Sequence, residues 1–550
     1  MRLKNIPLWI WLQAFASILL ILPIFYFQYL PLNDYPNHLA SMHFILQNDA
    51  GINTYIESNL GLFNTNSLFF WIVLIFAKIT GLDLAGRIAL SIVLISLPWG
   101  ASYFFSSLNK NMAPLGLIGA LFAYNFFFSM GFANFCLSIS LFLFAAGYWM
   151  KILPKKTGMR EFSIMLILAF LTYSAHIISA IVLIGFAAAT FLFYAFIANR
   201  AENEKKNNFA LQKRKFIGFG NAANGIKEIF GKDFFLKFTP FLPAVLLILL
   251  SLLEFFEGSS SASYIIFNPL EGNLGYLFVL APAVPSALFA MILAPYLLIL
   301  YSKNKMHLPK WCLLWALFAI FFLLLSLLLP EMISSWQFIQ LRFWPFFAIF
   351  LIAFLFHPIA SLKNSKNIFL EIGAISFLLL LASTYLTFLQ WEKLQPTLGE
   401  IDSLSSFMHE GSAVFATGEG FASLIKTQSP PSSLLHTWGY WAIEKNIYSP
   451  DLFAYKYSPI KYKDENMHAR EQVSAWGEAF IEHLFSNKEN DACIYWQEYY
   501  SSINWSLICD NYDFVVLREG ECENNFIPAA CFEKIAQKGN NIVYEKHYEK

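Results

Sequence analysis

The sequence predicts a polytopic α-helical membrane protein with about eleven transmembrane helices, an interfacial helix and a C-terminal soluble α/β domain. Three observations predict it. Of 550 residues, 57% are hydrophobic and only 13% charged, a balance too apolar for a soluble globule. Apolar runs of about twenty residues, the length that crosses a bilayer's hydrocarbon, recur as far as residue 388. From about Trp391 those runs shorten to strand length, and four of the six cysteines gather there.

The first apolar stretch, Ile6 to Leu30, follows Arg2 and Lys4. It is longer than a signal peptide's apolar region and lacks a small-residue cleavage site, so it reads as a retained span. Basic residues then set the orientation. They cluster at Lys110; at Lys151, Lys155, Lys156 and Arg160; from Arg200 to Lys237; at Lys303, Lys305 and Lys310; and at Lys363 and Lys366. Segments 31–66, 129–135 and 256–273 contain no Lys or Arg. Cytoplasmic loops carry the basic excess, so the clusters share the N-terminus's side and the Lys-free segments face the other.

Ser67 to Gly81 decides the count, because fifteen apolar residues are short for a crossing. If they crossed, every later basic cluster would be thrown outside, so they are assigned to an interfacial or re-entrant helix. The expected spans are then 6–30, 85–107, 113–131, 133–150, 161–178, 180–199, 238–255, 275–302, 311–329, 343–360 and 367–388. Residues 161–199 have an alternative as one long helix with a stub. The expected organisation is a membrane domain over 1–390, with a first external loop and juxtamembrane helices over 31–84, and an extracytoplasmic domain over 391–550. A bacterial inner membrane, with the N-terminus cytoplasmic and the C-terminal domain periplasmic, is the location this implies.

In the tail, Ala413 to Ala416 and Asp513 to Leu517 read as strands and Arg470 to Phe485 as a helix. Cys493, Cys509, Cys522 and Cys531 suit two disulfides in an oxidising compartment. Spacing leaves the pairing open, with 493–509 and 522–531 the local option. Zinc is the competing reading, but no CxxC pair is present.

The chemistry-bearing residues are few. Asp34, in Asn33 to His38, lies just past the first span on a Lys-free segment, with His38 one helical turn on. A carboxylate at the membrane boundary can deprotonate or orient an acceptor. The plain alternative is an N-cap, a common task for Asp before Pro. Arg342 is a lone basic residue at an expected external span end, which is costly unless an anion pairs with it. Its guanidinium fork suits a lipid-linked phosphate; snorkelling, or pairing with Glu331, is the alternative. His176 lies near the external end of its span, where a packing role competes with a functional one. Glu254, Glu257, Glu271 and Glu331 face the same side and could help to hold a divalent metal or an acceptor. The zero net charge gives no argument for a nucleic-acid partner.

With these residues in place, the chain resembles the GT-C fold superfamily of integral membrane glycosyltransferases, which includes the protein O-mannosyltransferases and the lipid A aminoarabinose transferases. The resemblance lies in the layout: one span, an external loop carrying an acid (Asp34), a juxtamembrane helix (67–81), many spans and an external C-terminal domain. Gly131 to Phe135 and Tyr173 to His176 also look like elements of bacterial members. The resemblance implies a polyprenyl-phosphate sugar donor, an extracytoplasmic lipid, glycan or protein acceptor, Asp34 as base and Arg342 at the donor phosphate. Many relatives carry a second acid in the next external loop. Segment 129–135 has none, which favours a metal-free mechanism. Two rivals stand beside this reading. One is a transporter or flippase of a lipid-linked precursor, which predicts charged residues within the spans and an inverted repeat. The other is a non-enzymatic assembly or sensor protein.

Overall fold

The computed structural model describes residues 6–52, 56–211, 236–258, 265–266, 283–304, 308–330, 332–333, 338–422, 434–449, 452, 458–463, 500–501, 503–520 and 530–547. The helix expected at Arg470 to Phe485 lies outside them, as do Cys493, Cys522, Glu271 and Glu331, and the side chains of Glu254 and Glu257. Among the described residues, eight helices are long and apolar enough to cross a membrane. The chain is an integral membrane protein.

Helix α1 (Leu8–Tyr26) ends at an extended Phe27. Its last carbonyls have no partner within the helix. Arg87, from the start of α4 (Leu82–Leu108), fills that gap by donating to the carbonyls of Ile24, Phe27 and Gln28 at 2.5, 2.8 and 2.6 Å. Asp83, one turn earlier, holds the Arg87 Nε at 2.8 Å. The C-terminus of α1 and the N-terminus of α4 therefore share one end of the bundle. Between them lie α2 (Tyr35–Asp49), β1 (Ile56–Ser58) and α3 (Leu68–Thr80). With thirteen residues, α3 is too short to span, and Asn134 ties its first turn to the same end by accepting from the Phe69 N–H at 2.8 Å. The geometry agrees with an interfacial helix.

The expected span 113–131 is corrected. It is a 3-10 turn (Lys110–Leu115), then α5 (Gly116–Leu121), a break, and α6 (Phe126–Ser129). Two causes are visible. Gly116 and Gly119 lie against α4, where a Cβ on Gly116 would come within 2.6 Å of the Pro98 carbonyl. Asn125 is extended, and its side chain accepts from the Phe128 N–H at 3.0 Å, starting a new helix where the old one would continue. The segment still traverses the bundle, because Asn111 bonds Ser365 at the far end and Ser129 meets Asn33 at the near one.

Helices α7 (Ala133–Ile152), α8 (Met159–Ala175) and α9 (Ile177–Leu211) follow. A single long helix over 161–199 is ruled out: His176 is extended between α8 and α9 and turns the chain at the near end. Then come α10 (Leu242–Gly258), β2 (Ile265–Ile266), α11 (Ala283–Lys303), α12 (Lys310–Leu328), β3 (Met332–Ile333), α13 (Trp344–Phe356) and α14 (Ser365–Asp402). Helix α14 is 38 residues long and runs unbroken past residue 391. Gln395 on its emergent part pairs with both backbone groups of Tyr29, at 3.1 and 2.8 Å.

The tail forms a four-stranded sheet in the order β4-β6-β8-β7, from β4 (Val414–Thr417), β6 (Phe514–Arg518), β7 (Phe532–Lys538) and β8 (Asn541–Lys546). The two strands read from sequence, β4 and β6, pair in parallel at its buried core. Two links tie this domain to the first loop. Strand β5 (Ile460–Tyr462) pairs antiparallel with β1, and α15 (Trp438–Lys445) packs on α2. Cys509 is bonded to Cys531, which corrects the local pairing option. Helix α16 (Trp505–Asn511) and β7 bring these two together, with 6.1 Å between their Cα atoms.

Replacing Arg87 with Met leaves the Ile24 carbonyl of α1, and those of Phe27 and Gln28 just beyond it, without their charged donor. We expect a loss of roughly 3 kcal/mol, seen as a lower Tm in detergent; a wild-type Tm would remove the capping role.

Candidate functional site

Asp34 is placed by backbone. The Asn33 and Asp34 N–H groups donate to the carbonyls of Ser129 and Met130, at 3.0 and 3.1 Å. This approach requires Gly131. Its φ is +78°, and a Cβ there would lie 2.8 Å from the backbone nitrogens of both Asp34 and Tyr35. Asp34 occupies the N-cap position of α2, but its side chain makes no capping hydrogen bond. The carboxyl lines a cavity instead. That disposes of the plain capping alternative.

The cavity encloses about 780 Å³, part of it open to solvent, and Asp34, His38, His176 and Arg342 all line it. Four of the residues singled out from sequence therefore converge, from α2, from the α8–α9 break and from the turn before α13. The same loop that positions Asp34 also holds Arg342, whose guanidinium lies over the rings of Phe132 and Phe135, 5.1 and 5.4 Å from their centroids. Asn134 between them donates to the Asn66 carbonyl at 2.8 Å and so fixes the cavity's rim.

Arg342 Nη1 meets His176 Nε2 at 2.5 Å. His176 is thus one neighbour of Arg342; Glu331, considered from sequence, lies outside the described residues. Guanidinium only donates, so Nε2 must accept. The Ile178 N–H approaches the other ring nitrogen, Nδ1, at 3.2 Å. A neutral imidazole offers one acceptor nitrogen, and here both face donors. An anion accepting from Arg342 would relieve that mismatch.

Burial dominates the titration of the remaining groups. It pushes the Asp34 carboxyl up to about 8, with Arg342 pulling the other way. It holds the His38 imidazole down to about 4 and the His436 imidazole down to about 3, so both rings are neutral at pH 7. Among the described residues, no group of three or more His, Cys, Asp or Glu side chains is placed to hold a metal ion.

Next to the polar cavity lies an apolar one of about 800 Å³. Its walls come from α4, the broken 116–127 segment, α7 and α13, including Leu97, Ile118, Phe122 and Ile349. Phe135 belongs to both cavities.

Sequence reasoning missed His436. Its Nε2 lies 3.6 Å from Asp34 Oδ1, and both side chains are largely buried. It also gave the rings of Phe132 and Phe135 no role of their own within the Gly131 to Phe135 element. The approach of His436 is set by tertiary docking of a distant segment, which leaves no local pattern. Gly131 was visible as part of a turn, and a glycine before an aromatic-rich helix start was the signal available.

No protein-family model matches the chain, and no curated protein matches it in sequence. Among solved structures, it is similar to ArnT from Cupriavidus metallidurans bound to undecaprenyl phosphate. The TM-score is 0.50 at 10% identity, covering 98% of this chain and 97% of that one. The apo state of the same ArnT superposes with a TM-score of 0.37 at 10% identity, covering 97% of each chain. The chain shares its fold with the undecaprenyl phosphate-bound ArnT structure across nearly its whole length.

Two outcomes follow from this geometry. Gly131→Ala forces a left-handed alanine into the Asp34 backbone, and should lower stability by roughly 2 kcal/mol in thermal unfolding; an unchanged Tm would show that the loop yields. Any reaction using Asp34 as a base needs its ionised form, which is present above pH about 8 and lost below it. Its kcat/KM should therefore climb with pH through the region near 8. A profile flat from neutral to alkaline pH takes Asp34 out of that role.

Proposed function

We propose that this protein is a membrane glycosyltransferase that moves a sugar from a polyprenyl-phosphate donor to an extracytoplasmic acceptor. One observation carries the reading: a carboxyl and a guanidinium line one solvent-open polar cavity, which shares a wall residue with an apolar cavity among the helices. That pairing suits a substrate with a charged head and a hydrocarbon tail. The fold shared with ArnT bound to undecaprenyl phosphate supports the same class of donor.

In the proposed reaction the acceptor hydroxyl attacks the anomeric carbon, and Asp34 takes its proton. The bond from that carbon to the phosphate oxygen breaks, and the electron pair leaves with the lipid phosphate. Arg342 stabilises the charge that develops there. His176, turned by its two facing donors, shares the phosphate with Arg342. The first isoprene units of the tail lie in the apolar cavity beyond Phe135. His38 stays a neutral neighbour of Asp34, packed edge-on against Phe70 with ring centroids 5.2 Å apart.

The test is to incubate the purified protein with labelled polyprenyl-phosphate sugars and a membrane extract as acceptor source. Label moving onto an extract component supports transfer. Movement of intact donor across vesicles supports a flippase, and neither result favours a non-enzymatic role. Asp34→Asn should lower transfer by at least about a hundredfold with undecaprenyl phosphate binding retained. Arg342→Ala should weaken that binding and slow transfer together. Full transfer by the Asn variant would remove Asp34 from the mechanism.

A further inference from the structure

Besides Ser458 and Pro459, which line the polar cavity, the C-terminal domain reaches the cavity region through the residues just before α15. Helix α15 lays its first turn on the first turn of α2: a Cβ on Gly439 would come within 2.5 Å of the Pro36 carbonyl oxygen and 3.0 Å of the Asn37 nitrogen. That contact fixes the residues just before α15. Thr437 Oγ1 donates to the Leu434 carbonyl at 2.7 Å, and the Gly439 N–H donates to the His436 carbonyl at 2.9 Å, which closes a tight turn. Trp438 stands edge-on to the His436 ring with centroids 5.8 Å apart. The imidazole is thereby aimed at Asp34, with Nε2 3.6 Å from Oδ1.

His436 does not line the polar cavity, whereas Asp34 does. It has access to the carboxyl but none to a substrate in the cavity. Any part it takes runs through Asp34. At 3.6 Å the contact is longer than a hydrogen bond. With the ring proton on Nε2, a protonated carboxyl offers it only a neutral acceptor. An ionised carboxylate gains a donor, because the Nε2–H of a neutral imidazole can supply one charge-assisted bond.

We propose that His436, carried by the C-terminal domain, is a positioning residue for Asp34: its Nε2–H engages Oδ1 when the carboxylate forms and leaves the second oxygen facing the cavity. The proposal rests on Asp34 being the base of the reaction above, and it makes the site incomplete without the C-terminal domain. Among the described residues, the charged and titratable groups facing this pair are His38 on α2, and His176 and Arg342 across the cavity. Of these, Arg342 favours the ionised carboxyl, and His38 opposes protonation of His436.

The experiment is an infrared pH titration of the Asp34 carboxyl band in the full chain in nanodiscs, with Asp34→Asn identifying the band. His436→Phe keeps the ring volume and loses the donor. It should raise the midpoint of Asp34 ionisation by about one unit or more. His436→Gln keeps an N–H donor and should restore most of the shift. His436→Ala is the second loss variant, so that folding failure of one leaves the other to decide. In the labelled-donor assay His436→Phe should lower kcat about tenfold, leave the donor KM unchanged and move the ascending pH limb to higher pH by the same shift. An unmoved midpoint in a folded loss variant overturns the proposal. Because the titration needs no turnover, absence of transfer in the unmodified protein would count against the glycosyltransferase reading alone.

Discussion

The site depends on two backbone hydrogen bonds, from Asn33 and Asp34 to Ser129 and Met130, made across a glycine with φ +78°. A carboxyl at the end of a free loop would sample many positions and hydrate fully. Pinned against the loop before α7, it is held largely out of water at the mouth of a polar cavity. The same loop continues into Phe132 and Phe135, which seat Arg342. One short segment thus sets the separation of the acid and the guanidinium, and both lose their places if it shifts.

Electrostatics then explains why so few ionisable groups suffice. Burial raises the Asp34 carboxyl and lowers its two imidazole neighbours, so the rings stay neutral and Arg342 supplies the positive charge that opposes burial. A phosphate accepting from Arg342 would let His176 carry its proton on Nε2 and donate as well, because Nδ1 accepts from the Ile178 N–H. Among the described residues, the basic turns next to Asn111, Leu153 and Ser365 stand at the far end of the bundle, marked by the Asn111–Ser365 and Lys237–Leu153 hydrogen bonds, away from the cavity. Arg87 shows the second use of a guanidinium at the near end, where it closes the open carbonyls of α1.

How much of this was legible follows from the range of each interaction. Apolar length and loop charge are local, so most crossings, the short helix α3 and the strands β4 and β6 could be read directly. The break at Asn125 was not, because 113–131 has the composition of one helix and its interruption comes from the Asn125 cap together with glycines packed on α4. Asp34, His38, His176 and Arg342 stood out singly, as polar groups where a bilayer edge makes them costly. Their convergence on one cavity is a tertiary fact. His436 was invisible: it lies about four hundred positions from Asp34, and the contact of Gly439 with α2 that aims it has no sequence signature. The Cys509–Cys531 bond was missed for a related reason, since spacing along the chain says little about which ends of α16 and β7 meet.

The most direct test of the account is a structure of the full chain in nanodiscs with undecaprenyl phosphate added. The account predicts phosphate density within about 3 Å of the Arg342 and His176 nitrogens, with the chain of the lipid passing Phe135 into the apolar cavity and the Asp34 carboxyl facing the head. Phosphate density at the lysine-rich end of the bundle, or a lipid that leaves both cavities empty, would contradict it.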